Sequence, residues 1–227
     1  GTGFASDWSA ALSAPLNEEI LKLCGVIMIV LAAPQAIRGP IDGMVYGALT
    51  GLGFQVTENV MYGLNNIFQT GAADPEQAVA SSAALRVGLT ELGSHWAMTA
   101  VAGTGIGFLA ARGLRRGTAP ALACAATAMA MHLLFDAPRA PIVAKVAINF
   151  AIVAVLYLML WRGYRERART AISARAGWGD ITDAEAGVLL SRYRRRRELR
   201  SAQPGTERDQ LAARQQAVLD SVEAEAA

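Results

Sequence analysis

Five long apolar stretches, roughly 16–37, 42–67, 83–111, 119–137 and 142–161, constrain what this chain can fold into. Each approaches the ~20 residues that cross a hydrocarbon core, and the longer ones fit by tilting. In lipid a backbone must satisfy its own hydrogen bonds, and stretches of this length do so as helices. The sequence therefore predicts an all-α fold: a polytopic transmembrane helical bundle of five spans. Small residues recur within it, including Gly47, Gly51, Gly53, Gly103, Gly105 and Gly107, and let such helices approach closely. Charged residues make up only 18% of the chain, and more than half of the 21 Lys and Arg follow residue 161. Two domains are expected: a membrane domain over 1–161, and a basic, charged tail over 162–227, helical and partly disordered. Cys24 and Cys124 fall within the apolar stretches and read as buried, inert thiols. With no initiator Met and no positively charged leader over 1–6, the chain reads as a fragment or processed form.

Loop charge orients the spans. Arg38 follows the first stretch, Arg112, Arg115 and Arg116 the third, and Arg162, Arg165, Arg167 and Arg169 the fifth. The 68–82 connection has acids and no Lys or Arg. The positive-inside rule puts the basic loops and the C-terminal tail in the cytoplasm of a multi-pass cell-membrane protein. Residues 1–15, 68–82 and 137–141 then lie outside, with Arg86 and Arg139 as minor exceptions.

Ionisable groups inside the spans cost on the order of 3 kcal/mol each and so demand a function. Glu18 and Glu19 open the first stretch. Glu58 lies in the second, and the only two histidines, His95 and His132, in the third and fourth. At about 1.5 Å per residue, all fall in one depth band in the outer half of the membrane. Helical spacing pairs Glu18 with Lys22, Glu91 with His95, His95 with Thr99, His132 with Asp136 and Lys145 with Asn149. Glu91 is read as a partner of His95 or Arg86, and Lys145 as reaching outward to the interface.

Pro15-Leu16-Asn17-Glu18-Glu19-Ile20-Leu21-Lys22 resembles the first motif of the PrsW family of intramembrane proteases. So does Asp42-Gly43 followed by Tyr46-Gly47. The segment from Gly51 through Phe54 to Glu58-Asn59 resembles that family's Phe-x-x-x-Glu-Asn segment. Ser94-His95-Trp96, with the glycines at 103, 105 and 107, and His132 to Asp136 resemble its later motifs. The resemblance runs in order over about residues 14–160. It extends to the superfamily of CAAX prenyl proteases and bacteriocin-processing or self-immunity enzymes. It implies Glu18 as general base, with Glu19, Glu58, His95, His132 and Asp136 completing the catalytic set and Lys22 and Asn59 in support. Asp136 departs from the Asn of the His-x-x-x-Asn pattern, and Glu58 stands where the CAAX enzymes have His. The implied role is cleavage of a membrane-anchored, anti-sigma-factor-like regulator near the extracytoplasmic face.

Two chemistries use these residues. In the preferred one there is no cofactor: a glutamate activates water while the histidines orient it or donate to the oxyanion. In the alternative, zinc is held by Glu58, His95 and His132. The rival from another class is a proton-coupled transporter or channel. In the tail, Thr182 to Glu185 and Thr206 to Asp209 read as helix starts, the first a capping box. Arg194 to Arg197 form a basic run suited to anionic lipid, and no nucleic-acid partner is expected.

Overall fold

The computed structural model describes residues 2–71 and 73–226. Every regular element among them is helical. The order is α1 (Thr2–Ala32), α2 (Pro40–Gln69), α3 (Pro75–Leu85), α4 (His95–Asp136), α5 (Ile142–Trp178), α6 (Asp183–Leu189), α7 (Arg192–Ser201) and α8 (Thr206–Ala226). The chain forms two compact units that divide between Leu158 and Met159, inside α5.

In the first unit, backbone contacts set the packing. A Cβ at Gly43 would lie 2.2 Å from Gly103 O, one at Gly47 2.3 Å from Thr99 O, and one at Gly51 2.5 Å from His95 O. The spacing of four on each strand of this ladder makes α2 and α4 antiparallel neighbours in a fixed register. That register brings Phe54 and Glu58, one and two turns further along α2, to the start of α4. Within α4, Gly113 adopts a left-handed backbone (φ 67°) and breaks the helix into 95–112 and 114–136. The halves fold against each other: a Cβ at Gly117 would meet Phe108 O at 2.6 Å, and one at Gly105 would meet Ala121 O at 2.9 Å. Ala97, Met98, Val101, Cys124, Ala128, Met131 and Val153 form the apolar core around this hairpin.

Much of the remaining apolar surface faces outward, including Leu31, Val45, Leu49, Val60, Phe68, Leu114, Leu122 and Val155. Helices that bury small residues against one another and expose Leu, Val and Phe suit a hydrocarbon solvent. Among the described residues, two stretches are long and apolar enough to cross a membrane: Pro75–Asp136, which holds the hairpin, and Ile142–Trp178. Helices α1 and α2 fall short. Three charges, Glu18, Glu19 and Lys22, crowd the apolar half of α1, and α2 is diluted by Gly, Asn and Gln.

Several boundaries differ from the sequence reading. Helix α1 starts at Thr2 and runs through Pro15, so the expected 16–37 stretch is only its second half, ending at Ala32. The expected 83–111 stretch is interrupted. A π-helical turn (Arg86–Thr90) and a 3-10 turn (Glu91–Gly93) separate α3 from α4. Asn149 of α5 bonds the last carbonyl of this break, its Nδ2 donating to Gly93 O (2.9 Å), and reaches Met131 O in the second half of α4 as well (3.3 Å). Lys145 does not reach outward. It is buried, and its Nζ donates to Phe135 O near the end of α4. Cys124 is buried as expected, but Cys24 is exposed on α1.

The second unit is built on the opposite plan. Ile172, Ile181, Ala186, Leu189 and Val222 form its core, and α7 buries no residue. The capping box is present: Thr182 Oγ1 accepts from Glu185 N (3.2 Å), while Glu185 Oε2 accepts from Thr182 N (2.9 Å). Helix α8 starts at Thr206 and continues to Ala226. Ala227, the last residue of the tail expected to be disordered, lies outside the described residues.

Candidate active site

Glu18, Glu19 and Lys22 lie on one face of α1, as their spacing requires, and Glu19 and Lys22 are almost fully buried. Lys22 Nζ donates to Glu19 Oε1 (2.8 Å) and lies 3.3 Å from Glu18 Oε2. Its third neighbour is His95 Nδ1 at 2.8 Å, from the first residue of α4. The ammonium also sits 4.3 Å from the centre of the Phe54 ring, a cation–π contact from α2. One buried cation thus meets groups from three helices. Burial of that kind is tolerable only with this density of partners.

With Lys22 donating to Nδ1, the His95 ring carries its proton on Nε2, which donates to Glu58 Oε2 (2.8 Å). Glu58 is held in turn by the guanidinium of Arg86, whose Nε donates to Asn59 Oδ1 (2.7 Å) and whose plane stacks on Tyr62. His132, from the second half of α4, directs Nδ1 at Glu19 Oε1 (2.8 Å). Its Nε2 faces Asp136 Oδ2 at 3.4 Å and Glu18 Oε2 at 3.7 Å. The two imidazoles meet edge to face, 5.2 Å between centres. All six residues expected in the catalytic set, and both expected supporting residues, are gathered within this network.

Some partners differ from the sequence reading. Glu91 pairs with neither His95 nor Arg86, since Glu58 takes both. The backbone carbonyl of Glu91 instead accepts from Trp96 Nε1. His95 makes no bond to Thr99, and Lys145 and Asn149 bond elsewhere. Arg86, expected near the outer surface as a minor exception to the charge rule, is an internal partner of Glu58 and Asn59. A lone arginine inside an apolar stretch was the available signal. Gln55 was also missed: it is buried and its Oε1 accepts from Ser94 Oγ, tying α2 to the residue before His95.

Among the described residues, those that could hold a metal ion are Glu18, His95 and His132, whose donor atoms all lie within 4.8 Å of one another. The expected set named Glu58 in place of Glu18, but Glu58 sits behind His95, on the far ring nitrogen. The donor chemistry is that of a zinc site, provided that the Lys22 ammonium, which now donates to His95 Nδ1, gives that nitrogen up. Glu18 Oε2 is buried without a hydrogen-bond partner. Each histidine has a carboxylate on its other nitrogen, Glu58 for His95 and Glu19 for His132. That is the outer-shell pattern that orients zinc-binding imidazoles.

A helical protein that turns its apolar side chains outward and gathers acids, imidazoles and one ammonium inward has the build of a membrane hydrolase. The family comparison agrees: the model of the PrsW family intramembrane metalloproteases matches residues 1–162. The chain belongs to that family and is a membrane protease. It matches no curated protein and no solved structure.

Proposed function

We propose that the chain is a five-span intramembrane endopeptidase in which Glu18 activates water against a membrane-anchored substrate. The observation that carries this reading is the meeting of Glu18, His95 and His132 from separate helical segments, with donor atoms within 4.8 Å. Glu18 Oε2 lies 3.3 Å from the Lys22 ammonium but accepts no hydrogen bond, so it is available to take a proton from a water shared with His132 Nε2. The hydroxide adds to the scissile carbonyl, and the proton passes from Glu18 to the leaving amine. Lys22, 3.3 Å from Glu18, offsets negative charge as the tetrahedral intermediate forms. Asp136 and Glu19 fix the His132 ring, while Glu58 fixes His95.

The outer-shell carboxylates support a second reading, in which Glu18, His95 and His132 hold zinc. Bound there, the metal would supply Lewis acidity and a water acidic enough to ionise near neutrality. In that case the role of Glu19 and Glu58 is to orient the two rings. The substrate proposed from the family resemblance is an anti-sigma-factor-like protein cut near the extracytoplasmic face. The tail is proposed to be cytoplasmic, where Arg192 and Arg194 to Arg197 of α7 meet anionic lipid at about 1 kcal/mol per charge.

The test is cleavage of a single-span anti-sigma-factor-type protein co-reconstituted in liposomes with the purified chain. Glu18→Gln and His132→Ala are expected to lower kcat by about 10^2 to 10^4. Normal cleavage by both variants overturns the protease mechanism. Loss of activity with 1,10-phenanthroline and recovery with zinc selects the metal reading, and activity that persists under the chelator selects the glutamate reading.

A further inference from the structure

A cavity of about 430 Å3 opens between α2 and α3, lined by Tyr62, Asn65, Asn66, Gln69, Ser82 and Arg86 among others. Its size falls in the range of ligand pockets, about 300–1,000 Å3. Its lining is out of keeping with its surroundings. The same stretch of α2 turns Val60, Met61, Leu64 and Phe68 outward. Part of this polarity is structural. Asn66 Nδ2 donates to Ala78 O (2.7 Å) and to Ser81 Oγ (3.4 Å), which fastens α3 to α2. The side chains of Asn65, Gln69 and Ser82 have no such duty and make no hydrogen bond among the described residues.

The charge of the lining narrows what can bind. Arg86 is its only charged residue, and its guanidinium is committed to Glu58, Asn59 and the Tyr62 ring. No unpaired cation remains for a phosphate, and no carboxylate lines the cavity to attract a cation. What remains is amide and hydroxyl groups, each able to donate and accept. Such a surface matches a neutral ligand that alternates donors and acceptors along its length, as an extended peptide backbone does.

Arg86 also connects the cavity to the chemistry. The guanidinium that forms one wall holds Glu58, and Glu58 holds His95. We propose that this groove receives an extended, uncharged segment of the polypeptide being cleaved, adjoining the scissile bond and held through its backbone by Asn65, Gln69 and Ser82. The proposal rests on the protease reading, and its test is a binding measurement that does not depend on turnover.

The probe is a fluorescein-labelled heptapeptide, Ala-Ser-Ala-Val-Ala-Ser-Ala, with an amidated C-terminus, titrated by anisotropy with the full chain in detergent. Wild type and Glu18→Gln are both expected to bind it. The double variant Asn65→Leu/Gln69→Leu is expected to raise Kd about ten-fold, and Asn65→Gln/Gln69→Asn, which keeps the amides, to restore most of the affinity. Circular dichroism checks that the variants keep their helix content. No binding to wild type, or equal binding by the leucine variant, overturns the groove. A failed protease reading gives a different result, in which the peptide binds but the liposome assay shows no cleavage.

Discussion

The two units use the same secondary structure with opposite interiors. Up to Leu158, the buried polar residues include Glu19, Lys22, His95, His132 and Asn149, while Leu, Val and Phe face outward. From Met159 on, Ile172, Ile181, Leu189 and Val222 are buried, and the arginines of α7 lie on the surface. The contrast shows that helix content says little about solvent. What discriminates is which residues the helices hide. In the first unit, close backbone packing and a paired charge network stand beside a core of small and medium apolar residues, whereas the second is organised by its apolar core alone.

The contrast is open to test by substitutions whose costs differ in size. Glu19→Leu removes the shared acceptor of Lys22 Nζ and His132 Nδ1, leaving a buried cation short of a partner. A loss of about 3–5 kcal/mol is expected, read as a fall in the unfolding midpoint in detergent. If an apolar replacement at this position stabilises the protein, the charge network is not what organises the first unit. Gly47→Val puts a branched side chain where a Cβ already falls 2.3 Å from Thr99 O. It is expected to cost about 3 kcal/mol, whereas Gly53→Ala, with nothing within 4 Å, should be neutral or slightly stabilising. Equal behaviour of the two variants on size-exclusion and thermal unfolding would count against the ladder.

The smallest effect belongs to the second unit. Thr182→Ala removes one arm of the capping box and should weaken α6 by about 1 kcal/mol, seen as faster amide exchange over 183–189. The backbone N–H and the hydroxyl of Thr182 hold the Glu185 carboxyl below its usual value of 4.5. A carboxyl depressed in the folded state stabilises above its ordinary pKa and loses that contribution as pH falls through the folded value. Fraying of α6 should therefore set in below about pH 4.5 in wild type, and Glu185→Gln should remove that acid dependence.

Much of the site was legible because its residues repeat at helical spacing. Glu18 with Lys22, and His132 with Asp136, fall on common faces by arithmetic, and the glycines of α2 and α4 announce a close approach. The partners across helices were not legible. Glu58 or Glu91 could each have met Arg86, and the structure pairs it with Glu58 and Asn59 of α2 at the start of a π-helical turn. The 3-10 turn that follows is held by Asn149, far along the chain, whose amide donates to Gly93 O. The same long-range dependence hid which carboxylate shares a possible metal site with the two histidines, since only folding reveals that Glu58 approaches His95 from behind and Glu18 from the front. Lys145 was misread for a related reason: snorkelling is the default for a lysine with no known acceptor, and Phe135 O supplies one.

Asn149 has one more consequence. Its amide grips the carbonyl two positions before one histidine and the carbonyl immediately before the other. Helix α5 lends no atom to the acid–imidazole cluster, yet it works as a gauge block for it. A single carboxamide spans the two backbone segments that carry the rings, and those segments cannot part without forfeiting a bond that surrounding lipid has no means to replace.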